Sequence, residues 1–151
     1  MFSIEFITGP QVDSDGWLHA EAELMLGEAR EGFEVDLRIW ALETYRTHWR
    51  EAIARLLAGA SFTRLVTSYR GPDGAYHFTW PMWREGDLVL VHEELVLDED
   101  LATPLNPSTA WEVTAPRRQL TEDGAAISEW EVPISALQDW LGRPSQPFGA
   151  A

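Results

Sequence analysis

The sequence predicts an α+β fold: a mainly antiparallel sheet of six to eight strands, covered by one long helix near residues 41–58, with a short helix near 133–141. Three observations lead there. Apolar residues alternate with polar ones in a series of short segments, the period of half-buried strands. Glycine-containing turns separate these segments so closely that sequence neighbours must run antiparallel. One stretch, WALETYRTHWREAIARLLAG at residues 40–59, carries apolar residues at helical spacing over a long run.

In chain order, Phe2, Ile4 and Phe6 alternate with Ser3 and Glu5, and Gly9-Pro10 ends that strand. Leu18, Ala20, Ala22, Leu24 and Leu26 alternate with His19, Glu21, Glu23 and Met25 in a longer one. After a Gly27 to Gly32 connection, Phe33, Val35, Leu37 and Ile39 mark a third strand leading into the helix. There, Leu42, Tyr45, Trp49, Ala52, Ile53, Leu56 and Leu57 share one face, while Glu43, Arg46, Arg50, Glu51 and Arg55, with His48 beside them, face solvent. Gly59 is placed to turn left-handed past the helix end. Taken as 41–58, the helix is about 27 Å long, enough to cross one face of a small sheet.

Residues 62–69 read as strand, Gly71-Pro72-Asp73-Gly74 as a turn, and 76–83 with 88–97 as a hairpin around Arg84-Glu85-Gly86-Asp87. Closing that hairpin symmetrically puts Tyr76, Phe78, Trp80 and Met82 on the core side with Val89, Val91 and Leu95. Pro81 has no N–H for the ladder, so its strand needs an edge or a bulge there. A loop at 98–107, a short strand at 111–113, a turn at 121–124 and a last strand at 127–132 follow. Pro133 opens the final helix, whose stripe is Ile134, Leu137, Trp140 and Leu141 and which Gly142 stops. Residues 1–142 form one domain on this reading, and 143–151 a loose tail.

The absence of cysteine from all 151 residues excludes disulfides, thiolate metal sites and cysteine nucleophiles. The amino terminus lacks the basic-then-apolar pattern of a secretory leader, and no apolar run reaches membrane-spanning length, so a soluble cytoplasmic protein is expected. Twenty-five acidic residues against 11 arginines give a net charge of −14, and residues 71–116 hold nine of the acids with one arginine. Such a field repels nucleic acid and anionic membranes and speeds encounter with a basic protein.

The same hairpin closure sets His77 opposite Glu94 and Thr79 opposite His92, on the face away from the core. Together His77, His92 and Glu94 have the residue types for a metal site or acid-base chemistry, but a solvated strand face explains the same residues without chemistry and is the better reading. No glycine-rich phosphate loop, G-x-S-x-G elbow or H-E-x-x-H pair is present. Of the eight tryptophans, Trp49, Trp80 and Trp140 fall on core stripes, whereas Trp17, Trp83, Trp111 and Trp130 have no clear side. The residues alone therefore carry no convincing catalytic set and favour no metal site. Glu93, Glu94, Asp98, Glu99 and Asp100 are the acidic residues best placed to meet a cationic partner.

Four stretches in this order, YRTHWREAIARLLAGASFTRLVTSY, WPMWREGDLVLVHEELVL, the proline-interrupted loop after it and DGAAISEWEVPISAL, resemble the immunity proteins of bacterial contact-dependent growth inhibition systems. The resemblance covers roughly residues 40–140 and rests on scaffold motifs, a Tyr/Trp helix and a Trp-Pro hairpin. It implies a cytoplasmic antidote that binds a toxin domain without turnover or cofactor. It carries over no toxin-contacting residue, because one scaffold can serve different toxins. An acidic protein of this kind suits a basic, nuclease-like toxin, whose cationic cleft carboxylates can occupy in place of phosphates. The alternative reading is an enzyme or small-ligand binder using His77, His92 and Glu94.

Overall fold

The computed structural model describes residues 1–71 and 76–144. Alternation in the first third builds one antiparallel sheet. Strand β3 (Leu18–Leu26) is its centre, with β1 (Phe2–Phe6) and β2 (Gln11–Val12) along one edge and β4 (Ala29–Asp36) along the other. Ala20, Ala22, Leu24 and Leu26 are buried, as the period of two demands. The connection to β4 is tighter than the expected 27–32 loop: Leu26 pairs with Ala29, and Gly27 turns the chain at φ 66°. At its far end β4 stops at Asp36, and Ile39, expected on a strand face, is 54% exposed.

Helix α1 (Leu42–Leu57) lies against this sheet and against a second one. Trp49 stacks on Phe6 of β1 at 4.9 Å, meets Phe33 of β4 edge-on, and donates its indole N–H to the Val66 carbonyl at 2.9 Å. Tyr45 is a second junction, its hydroxyl donating to the Asp36 carbonyl and accepting the Tyr69 N–H, each at 2.8 Å. The expectation for His48 is overturned: it is wholly buried. The reason is a second cover on the helix, because the segment leading to Trp111 folds over it and stacks the Trp111 ring on the imidazole at 5.9 Å.

The second sheet comprises β5 (Phe62–Ser68), β6 (Tyr76–Glu85), β7 (Leu88–Val91), β8 (Glu94–Leu97) and β9 (Trp130–Pro133), in the order β5-β6-β7-β9 with β8 also on β6, all antiparallel. The fold class is therefore α+β as expected, but the described strands number nine and divide into two sheets where one sheet of six to eight was predicted. The divide follows from α1, which separates β4 from β5 in sequence and packs its aromatic face on both sheets. The required irregularity at Pro81 is found. Opposite it the neighbouring strand leaves the ladder at His92-Glu93, splitting the expected 88–97 strand into β7 and β8, while the Pro81 carbonyl still accepts the His92 N–H at 3.1 Å.

The short strand expected at 111–113 is instead a 3-10 turn, Ala110–Glu112. Helix α2 (Ile134–Leu141) begins just after Pro133 and buries Ile134, Leu137 and Trp140. Trp140 meets Phe2 edge-on at 5.4 Å and donates to the Glu5 carboxylate at 3.0 Å, tying the two ends of the described chain together. Of the four tryptophans without a clear side, Trp111 is buried, and Trp17, Trp83 and Trp130 are half-buried. The turn expected at Pro72-Asp73-Gly74 and the tail from residue 145 onward lie outside the described residues. Among the described residues no helix is long and apolar enough to cross a membrane.

Candidate binding surface

The hairpin pairs two residues out of the expected register: Thr79 faces Glu94, and His77 faces Val96. A shift of two keeps each side chain on its predicted face but changes its neighbour. The face itself is not wet. Residues beyond β8 fold back across it, and His77, Thr79 and His92 are all buried. So the expected His77, His92 and Glu94 cluster does not form; each member is held by a different partner.

His77 Nδ1 accepts the Arg70 backbone N–H at 3.1 Å, which leaves Nε2 to carry the proton toward Asp98 Oδ1, also at 3.1 Å. His92 Nε2 lies 2.7 Å from Glu129, which Arg117 grips through two contacts of 2.7 Å. That grip, with a smaller contribution from His92, lowers the Glu129 pKa to about 2. Glu94 reaches Arg64 at 3.1 Å. No group of three or more His, Cys, Asp or Glu placed to hold a metal occurs among the described residues.

Arg64 is the residue that sequence reasoning passed over. A single cation inside the run FTRLVTS looks like an outward-facing strand residue, yet only 1% of it is exposed. Its guanidinium donates to the Val113 carbonyl at 2.9 Å, to Thr79 Oγ1 at 2.8 Å and to Glu94. Burial pushes its pKa down and Glu94 opposes that shift. The only signal available was negative: a hairpin rich in acids with an unmatched arginine opposite.

Of the five acidic residues singled out, the structure thus ties two inward, Glu94 to Arg64 and Asp98 to His77. Glu93, Glu99 and Asp100 are exposed. None of these three makes an ion pair among the described residues. Glu93, Glu94 and Asp100 come together on one open cleft of about 490 Å³, with Trp83 and His92 also on its wall and Arg118 as a cationic member. Glu99 does not line it. The cleft floor is braced, because Trp83 donates its indole N–H to the Ala115 carbonyl at 2.9 Å. Chemically the surface offers the unpaired carboxylates of Glu93 and Asp100 beside the tied Glu94, suited to meeting cations.

Comparison with known proteins adds two findings. The sequence profile described as the CdiI N-terminal domain matches residues 35–140. The fold is similar to a chain of a solved structure described as the CdiA-CT/CdiI toxin and immunity complex from Enterobacter cloacae, at 22% sequence identity and a TM-score of 0.82, over 93% of this chain and 96% of that one. No curated protein matches the chain.

Proposed function

The chain belongs to the CdiI N-terminal domain family, and from that premise we propose that it is an immunity protein which binds and neutralises the cognate toxin domain of a contact-dependent growth inhibition system. It acts in the cytoplasm by occupying the toxin, one molecule to one, with no turnover, metal or cofactor. The observation that carries this reading is the division among the acids at 93–100: two are fixed inward on Arg64 and His77, and Glu93, Glu99 and Asp100 are presented outward without cationic partners. An exposed array of unpaired carboxylates supports recognition of a basic surface, and a toxin that acts on nucleic acid is basic for the same reason. Within the toxin-contacting set, Glu93, Glu99 and Asp100 touch the partner, and Glu94 and Asp98 hold the strand and turn that carry them. The separate pairing of His77, His92 and Glu94 supports a binding role over the enzymatic alternative that needed them together.

The test is co-expression with the toxin domain encoded beside this chain, followed by purification through a tag on the toxin alone. The expected result is an equimolar complex and restored growth, with no protection against a toxin domain of different sequence. Growth arrest that persists, with no complex recovered, overturns the reading.

A further inference from the structure

One end of the second sheet's inner face extends past its cover. Phe78 pairs with Leu95 and Tyr76 with Leu97 across β6 and β8. These positions share the face that carries Trp80 and Met82 into the core. Yet Trp80 and Met82 are buried, while Phe78, Leu95 and Leu97 are 37%, 49% and 41% exposed. Between this strip and the edge of the first sheet lies a groove of about 210 Å³ built from Phe33 of β4, Thr67 of β5, and Phe78 and Trp80 of β6.

The groove's rim is acidic: Glu31, Glu34 and Glu93 line it, and no arginine does. Glu31 and Glu93 have no ion pair among the described residues, and Glu34 reaches only His19, at 3.9 Å. An aromatic floor under unpaired carboxylates suits a long cationic side chain, whose stem lies on the rings while its head meets the rim. Buried contacts of this kind, centred on aromatics and arginine, dominate protein interfaces. Glu93 lines this groove and the acidic cleft alike, so the two surfaces adjoin along it.

We propose that this groove anchors the toxin domain, taking an arginine- or lysine-bearing segment of it between Phe33, Phe78 and Trp80 under Glu31, Glu34 and Glu93. The proposal rests on the immunity reading above. The two surfaces then divide the work: the exposed carboxylates accelerate encounter, and the aromatic groove slows dissociation.

The experiment measures association and dissociation rates of the purified toxin domain with wild type, Phe78→Ala and Glu31→Lys, together with hydrogen exchange of the wild-type complex. Phe78→Ala is expected to speed dissociation by more than about tenfold with little change in association. Glu31→Lys is expected to weaken binding more than Glu99→Lys does. Amides of Tyr76 to Trp80 and of β8 gain protection in the complex. If wild type binds while both variants match it and those amides stay unprotected, the groove is overturned and the immunity reading stands. If wild type does not bind, both fall. If Phe78→Ala does not fold, the exchange pattern of the wild-type complex decides.

Discussion

His48 Nε2 accepts the Val66 backbone N–H at 2.8 Å, joining α1 to β5 through an imidazole that solvent does not reach. Nδ1 then carries the proton and donates to the Pro107 carbonyl at 2.7 Å, so one side chain fastens helix, strand and loop. Burial pushes the His48 pKa from 6.5 down to about 4, against a weaker upward pull from the Pro107 carbonyl.

This pairing predicts an acid-sensitive fold. Below pH 6.5 the unfolded chain takes up a proton that the native imidazole refuses until about pH 4. His48 therefore contributes stability that is complete above pH 6.5 and is lost as pH falls toward 4, amounting to about 3 kcal/mol. Glutamine at this position keeps a donor and an acceptor without titrating. In urea unfolding across this range, the stability gap between wild type and His48→Gln is expected to narrow by that amount as the pH falls. A gap that does not change with pH contradicts the assignment. Glu129, whose pKa is lowered from 4.5 to about 2, loses its contribution as pH falls from 4.5 toward 2, overlapping the His48 window only at its acid end.

Arg64 and Glu94 are expected to respond unequally to mutation. Only 1% of the Arg64 side chain is exposed but 37% of the Glu94 side chain is. Arg64→Leu removes at once the donor to the Val113 carbonyl, Thr79 and Glu94 and should cost about 3–5 kcal/mol. Glu94→Gln leaves the guanidinium two other acceptors and keeps an amide oxygen at a position that water still reaches, so about 1 kcal/mol is expected. Denaturant midpoints of the two variants give the comparison, and equal losses would contradict this picture.

Trp49→Ala removes an indole that is 1% exposed, stacks on Phe6 and donates to Val66. The expected loss is about 3–5 kcal/mol. Thermal or urea unfolding measures it, and a near-neutral result would mean that α1 does not seat on both sheets.

Charge removal should separate binding from stability. Glu93→Gln, Glu99→Gln and Asp100→Asn combined should slow toxin association and flatten its salt dependence while leaving the melting temperature nearly unchanged. Asp98→Ala should do the reverse, lowering the melting temperature through the loss of its His77 contact at 3.1 Å. Stopped-flow binding at low and high salt, beside thermal melts, distinguishes the two sets. A triple variant with wild-type association and salt dependence would place the encounter surface elsewhere.

Much of the architecture was written in local pattern. The period of two placed β3 to the residue and the start of β1, and the helical period placed α1 and α2 to within a residue at each end. Pro81 announced the break between β7 and β8 because a missing N–H has the same consequence in any fold. Which faces meet water was decided only by tertiary structure. Periodicity separates two faces of a strand or helix, but it does not report what long-range segment covers each. Here the chain around Pro107, Asp98 and Val113 returns over α1 and the hairpin, and it satisfies His48, His77 and Arg64 from 59, 21 and 49 residues away. A buried polar side chain is tolerable only when its partners are in place. Those partners lie too far along the chain for any local pattern to show, so the sequence by itself determined most of the elements, and the return of the 98–116 segment decided which acids remain exposed.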